Sequence, residues 1–152
     1  MKKLHARIAK ASFWWWSFGL WFGVLFVLSS FGQSSTRMPK VEHLDKILHA
    51  GYFFGGGIIF ISALILTGPR NASPRWKWIL PLTVVMAALA GVFDEWHQTF
   101  TPGRDGGDAG DVLADVFGGI LAGLVAYYAY PHVERFRIPP ATRSDRGASQ
   151  GA

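Results

Sequence analysis

Four long apolar runs alternate with short polar segments along the chain. A hydrocarbon core of about 30 Å is crossed by about 20 apolar helical residues. Lipid offers no hydrogen bonds to an open backbone, so runs of this length predict helices. The first run, about 13–32, is uncharged and holds Trp14, Trp15, Trp16 and Trp21. A signal peptide cleaved near Ser30-Phe31-Gly32 is the alternative there, but the run is long and Trp-rich for a leader core of about 7–15 residues. The second run, about 47–67, stops at the helix-breaking stretch from Gly68 to Pro74. The third, about 79–98, follows Arg75, Trp76, Lys77 and Trp78 and places Pro81 in its first turn, where the missing N–H costs little. The fourth, about 111–130, closes on an aromatic belt of Tyr127, Tyr128 and Tyr130.

The expected fold is therefore an all-α membrane protein, a single bundle of four transmembrane helices over 13–130. A basic lead (1–12) precedes it, and a tail (131–152) rich in Arg, Pro, Ser and Gly reads as disordered. An even number of spans puts both termini on one side. Eleven basic residues (Lys2, Lys3, Arg7, Lys10, Arg70, Arg75, Lys77, Arg135, Arg137, Arg143, Arg146) fall on the terminus side, and only Arg37, Lys40, Lys46 and Arg104 on the other. The positive-inside rule then places both termini in the cytoplasm of a multi-pass protein of the cytoplasmic membrane.

Composition narrows the function classes. Half of the chain is hydrophobic and 16% is charged, too little charge for an ordinary soluble domain. With no cysteine, disulfides, thiolate metal sites and cysteine nucleophiles are excluded. The net basic charge does not point to nucleic acid, because the basic residues flank apolar runs instead of interleaving with aromatics. The lipid bilayer is the expected partner, and nothing in the chain selects an oligomeric state.

The polar residues carry a second pattern. Asp94, Glu95, Asp105, Asp108, Asp111 and Asp115 are six of the ten acids, and they crowd between the third and fourth runs. With Glu42, Asp45, His43, His49 and His97 they gather at one end of spans two, three and four, the footprint of a site at one leaflet. Asp45, His49 and Tyr52 share a helical stripe at i, i+4 and i+7. One reading makes His49 a general base or metal ligand, its tautomer fixed by Asp45. The other makes His49 and Tyr52 interfacial anchors and Asp45 a cap. Asp94 and Glu95, with Gln98 below them, are costly inside a bilayer and point to function, or else snorkel to the headgroups. As neighbours about 100° apart on a helix, both face a bundle interior only if the helix is central or its end unwinds. Asp108 or Asp111 caps the fourth helix, which leaves Asp115, a turn deeper, unexplained by capping. Gly51, Gly55, Gly56, Gly118, Gly119 and Gly123 let helices pack closely. The Pro102-Gly103 turn folds Arg104 back over the carboxylates, as a balancing ion or as an anion clamp.

Three ordered motifs resemble the VanZ-like family of small bacterial membrane proteins. They are Asp45-Lys46-x-x-His49-x-x-Tyr52-Phe53, then Asp94-Glu95-x-x-Gln98-x-Phe100-x-Pro102-Gly103-Arg104, then Asp111-Val112-Leu113-Ala114 followed by Gly118. Two features depart from that pattern: Asp115 stands where such sequences usually carry Asn, and the loop after Arg104 is richer in Gly. The resemblance implies a cell-envelope protein, associated in name with resistance to the glycopeptide teicoplanin, and it implies no particular reaction.

The residues and the resemblance together favour a site that binds or modifies an envelope lipid or lipid-linked cell-wall precursor. Asp45, His49, Asp94, Glu95 and Asp111 are the candidates for acid–base work, and His49, Asp94, Glu95 and Asp111 for holding a divalent metal, the one cofactor the side chains suggest. Lys46, Tyr52, Gln98, Arg104 and Asp115 are the candidates for contacting the substrate, with Lys46 and Arg104 steering an anionic headgroup. The rival is a non-catalytic binding or scaffold protein. An ion path is disfavoured, because the inner halves of the spans carry no charge to continue a relay.

Overall fold

The computed structural model describes residues 10–31, 44–69, 72–104 and 106–137. The expectations that fall on Arg37, Lys40, Glu42, His43, Arg70, Asp105 and the ends of the chain lie outside the described residues. Among those described are four helices: α1 (Ala11–Ser29), α2 (Leu44–Thr67), α3 (Trp76–Gln98) and α4 (Ala109–Arg137). All four are long and apolar enough to cross a membrane.

Several helix limits differ from expectation: α1 lies at Ala11–Ser29, and α2 and α4 begin a few residues early, at Leu44 and Ala109. Helix α3 starts at Trp76, because the Trp-Lys-Trp segment joins the helix instead of merely preceding it. Pro81 therefore sits inside the helix, where its ring removes one i→i−4 bond. Helix α4 passes Tyr130 and continues through Pro131 to Arg137.

Packing follows the small residues. The broadest interface joins α2 and α4, and a side chain at Gly118 would strike the Ala50 carbonyl of α2. Gly57 faces Ala122 and Gly119 faces Ala87 in the same way, so backbones approach where bulk is missing. Phe53, Ile61, Ala63, Ala87 and Ala122 fill the core. Helix α1 is peripheral, with Trp16 81% and Leu20 71% exposed, a face suited to lipid. It is fastened to α2 at two levels. Trp15 Nε1 donates to Thr67 Oγ1 at 3.0 Å. Deeper along the bundle, Trp21 and Tyr52 stack at 5.3 Å and exchange bonds to each other's backbone carbonyls, Tyr52 Oη to Trp21 at 2.7 Å and Trp21 Nε1 to Tyr52 at 3.2 Å.

The two ends of the bundle differ. At one, Trp76 packs edge-on against Tyr127 and Tyr130 at 5.3 and 5.6 Å. At the other, the end of α1, the start of α2, the end of α3 and the start of α4 bring the polar groups together.

Candidate functional site

Asp94 and Glu95 are each 3% exposed, so neither snorkels. Helix α3 remains regular through Gln98, and the two carboxylates bury on different sides of it. Asp94 Oδ2 accepts from Gln98 Nε2 at 2.8 Å one turn on and faces a cavity. Glu95 faces the incoming strap before α4, where its Oε2 accepts the backbone N–H groups of Gly107 at 2.9 Å and Asp108 at 2.8 Å. That strap lies close on α3: a side chain at Gly106 would collide with the Thr99 amide, and Gly107 takes φ 87°, a left-handed conformation suited to glycine. The second oxygen, Glu95 Oε1, is buried with no hydrogen-bond partner.

Across from Glu95, His49 reaches over from α2. Its Nδ1 donates to Asp115 Oδ1 at 3.0 Å, and Asp115 is fully buried. The room for that carboxylate comes from Gly91 on α3, where an added Cβ would fall 2.5 Å from Asp115 Oδ2. The proton on Nδ1 leaves the Nε2 lone pair pointing away from Asp115, and Nε2 lies 4.0 Å from Asp111 Oδ2. His49, Glu95 and Asp111 each offer one metal-ligating atom, all within 4.8 Å of one another.

Nearer the surface, Lys46 gathers the remaining carboxylates. Its Nζ lies 3.0 Å from Asp108 Oδ2, 3.0 Å from Asp111 Oδ1 and 3.6 Å from Asp45 Oδ2. Asp108 is the residue that caps α4: its Oδ1 accepts from the Gly110 N–H at 2.6 Å, and its carbonyl accepts the first helical N–H groups, those of Asp111 and Val112. The Lys46 ammonium, followed by the Gly110 N–H, holds the Asp108 carboxyl below the usual carboxylate range.

A cavity of about 370 Å³ opens beside this cluster. Asp45, His49, Asp94, Gln98 and Arg104 are among its polar lining residues, and Leu25, Leu28, Leu48 and Phe53 among its apolar ones.

Four expectations take a different form in the structure. Asp115, not Asp45, partners the His49 ring, because a carboxylate on the facing helix points into the bundle while Asp45, 55% exposed, turns out to Lys46. Arg104 does not fold over the carboxylates. Its Nε and one terminal nitrogen donate to the carbonyls of Phe31 and Leu28 at 3.1 and 3.3 Å, closing the open end of α1, while the residue still lines the cavity. Lys46 is held by acids and is not part of the cavity wall. Tyr52 lines the cavity as expected of a contact residue, but its hydroxyl donates to the α1 backbone. Sequence reasoning missed two contributors. Gly91 carries no chemical signal, although it sits one helical turn before Glu95. Ser29, which lines the cavity and contacts His97 Nδ1 at 3.2 Å, lies in a run read only as an uncharged membrane span.

Comparison with known proteins is informative at one level. A family model described as VanZ/LLP1 matches residues 7–130, spanning all three motifs. No curated protein and no solved structure matches the chain.

Proposed function

Since the chain belongs to the VanZ/LLP1 family, we propose that its polar end faces the extracytoplasmic leaflet of the cytoplasmic membrane and takes the headgroup of an anionic envelope lipid or lipid-linked cell-wall precursor. The observation that carries this reading is the cavity's wall, in which charged and amide side chains stand among leucines and a phenylalanine. An amphiphile fits such a wall: its headgroup meets Asp94, His49, Gln98 and the anchored Arg104, while its chains stay against leucines and lipid. Arg104 is fixed at two nitrogens by backbone carbonyls, so its charge is positioned in advance of any anion. Beside it, His49 with Glu95 and Asp111 provides the groups for chemistry on that headgroup. The excess of basic residues at the opposite end supports the orientation.

The test uses purified full chain in nanodiscs containing a polyprenyl phosphate against the matching alcohol. Selective retention or turnover of the phosphate, lost in Asp94→Asn and in Arg104→Gln, is expected. Equal retention of both lipids by wild type and variants would sink the reading. Because the chain has no cysteine, a single Cys introduced at Gly103 reports sidedness directly: labelling by an impermeant maleimide on intact cells is expected.

A further inference from the structure

We propose that His49, Glu95 and Asp111 form a binding site for one divalent cation of the zinc or manganese class, with Asp115 as the residue that positions the imidazole. The inference rests on the reading of the polar end as the functional site, and names what supplies positive charge there.

Each of the three side chains has one atom committed and one left over. His49 gives Nδ1–H to Asp115 and keeps Nε2. Glu95 gives Oε2 to two backbone N–H groups and keeps Oε1. Asp111 gives Oδ1 to Lys46 and keeps Oδ2, on the side facing His49 Nε2. Those arrangements are the outer support a metal ligand needs, since each fixes a side chain by one atom and leaves another for a ligand.

The oxygen left on Glu95 is the decisive one. It is buried in a residue 3% exposed, without a hydrogen-bond partner, and a carboxylate oxygen is rarely left so unless something else meets it. Lys46 does not meet it, being held at Asp108 and Asp111. A cation would satisfy it and offset two buried carboxylates together.

One imidazole nitrogen and two carboxylate oxygens suit zinc or manganese and do not suit a soft, thiolate-seeking ion. Three protein ligands leave coordination positions open, the arrangement of a site that engages water or a phosphate oxygen. The Asp115–His49 pair repeats the carboxylate–histidine support seen at such sites. The fully buried position of Asp115 and the space left by Gly91 keep the ring in one orientation.

The experiment strips detergent-purified full chain with chelator and titrates it with Zn²⁺ and with Mn²⁺, reading bound metal by elemental analysis after gel filtration. One equivalent of at least one metal is expected in wild type and in Glu134→Gln, a variant at the far end. Glu95→Gln keeps an oxygen for the Gly107 and Asp108 amides, so it folds, and is expected to lose stoichiometric metal. Asp115→Ala is expected to weaken affinity by about 10–100-fold. Asp115→Asn is expected to recover most of that loss, since its amide oxygen still accepts from His49 Nδ1–H. Wild type holding no equivalent of either metal, or Glu95→Gln binding as wild type does, overturns the site. Phosphate-lipid retention is measured in parallel on the stripped protein: retention by a wild type that takes up no metal removes this inference and leaves the headgroup reading standing, whereas stoichiometric metal with no lipid selectivity does the reverse.

Discussion

Two groups of carboxylates sit within one helical turn of each other and live under different rules. In the outer group, Asp45, Asp108 and Asp111 surround Lys46, and the Asp108 side chain is 47% exposed with every contact an ion pair or a cap. In the inner group, Glu95 and Asp115 are buried and each leaves one oxygen without a partner. The outer group resembles the start of any well-capped helix. The inner one keeps a cost that packing alone would have removed, because a buried acceptor without a partner forfeits about 1–3 kcal/mol. Satisfied charge at the rim holds α2 to α4, and unsatisfied charge beneath it is where a ligand has something to gain.

The comparison breaks most visibly at Glu95, where the two oxygens have separate duties. Glu95→Ala removes the acceptor for Gly107 and Asp108 and frees the strap before α4, an expected loss of about 1–3 kcal/mol. Glu95→Gln keeps that acceptor and replaces the orphaned oxygen with a donor near His49 and Asp111, so stability is expected to equal or exceed wild type. Apparent thermal midpoints in one detergent decide between them. A Gln variant as unstable as the Ala variant would show that the buried charge holds the fold and is not kept for a ligand.

Why the rim and the pit were not equally legible in the sequence follows from what each depends on. The spans were readable because a bilayer demands length and apolarity from one continuous stretch. The cap at Asp108 or Asp111 and the extra carboxylate of Asp115 a turn deeper were readable because helical spacing is local. The partner of His49 was not. Asp45 lies one turn away on the same helix and Asp115 on a different one, and only the facing of α2 and α4, set by Gly118 against Ala50, selects Asp115. Arg104 illustrates the same limit. Its Pro-Gly turn is visible, with Gly103 at φ 79°, but its acceptors are backbone carbonyls of α1, which no residue type announces. Adjacent Asp94 and Glu95 looked geometrically awkward, and the structure resolves this by packing α3 on both flanks, a cavity on one side and the strap on the other.

A smaller effect is expected at the rim itself. Lys46→Met leaves Asp45 and Asp108 facing water and takes one partner from the more enclosed Asp111; the exposed ion pairs contribute little, and salt screens what remains of them. The thermal midpoint should fall less than for Glu95→Ala, and the deficit should shrink as ionic strength rises. A deficit that persists in high salt would place Lys46 among the buried determinants of the fold and erase the distinction between the two groups.

The smallest effect sharpens the comparison through pH. The Asp108 carboxyl is held below its ordinary range, first by Lys46 and then by the Gly110 N–H. A depressed folded value means the group binds its proton more readily when unfolded, whose carboxyl titrates near about 3.9. Its contribution is therefore complete above that value and is lost as pH falls through the lower, folded one. From pH 7 to pH 5 this cap should add no slope to the stability curve, and below about pH 4 it should begin to fail. Asp108→Asn, whose amide oxygen still caps the Gly110 N–H, should flatten that acid limb, and Lys46→Met should shorten it from its low-pH end, because the folded value rises toward the unfolded one while the onset stays where the unfolded carboxyl titrates. An acid limb identical in wild type and Asp108→Asn would assign the loss to other carboxylates, and would leave the outer group without a measurable electrostatic role in joining α2 to α4.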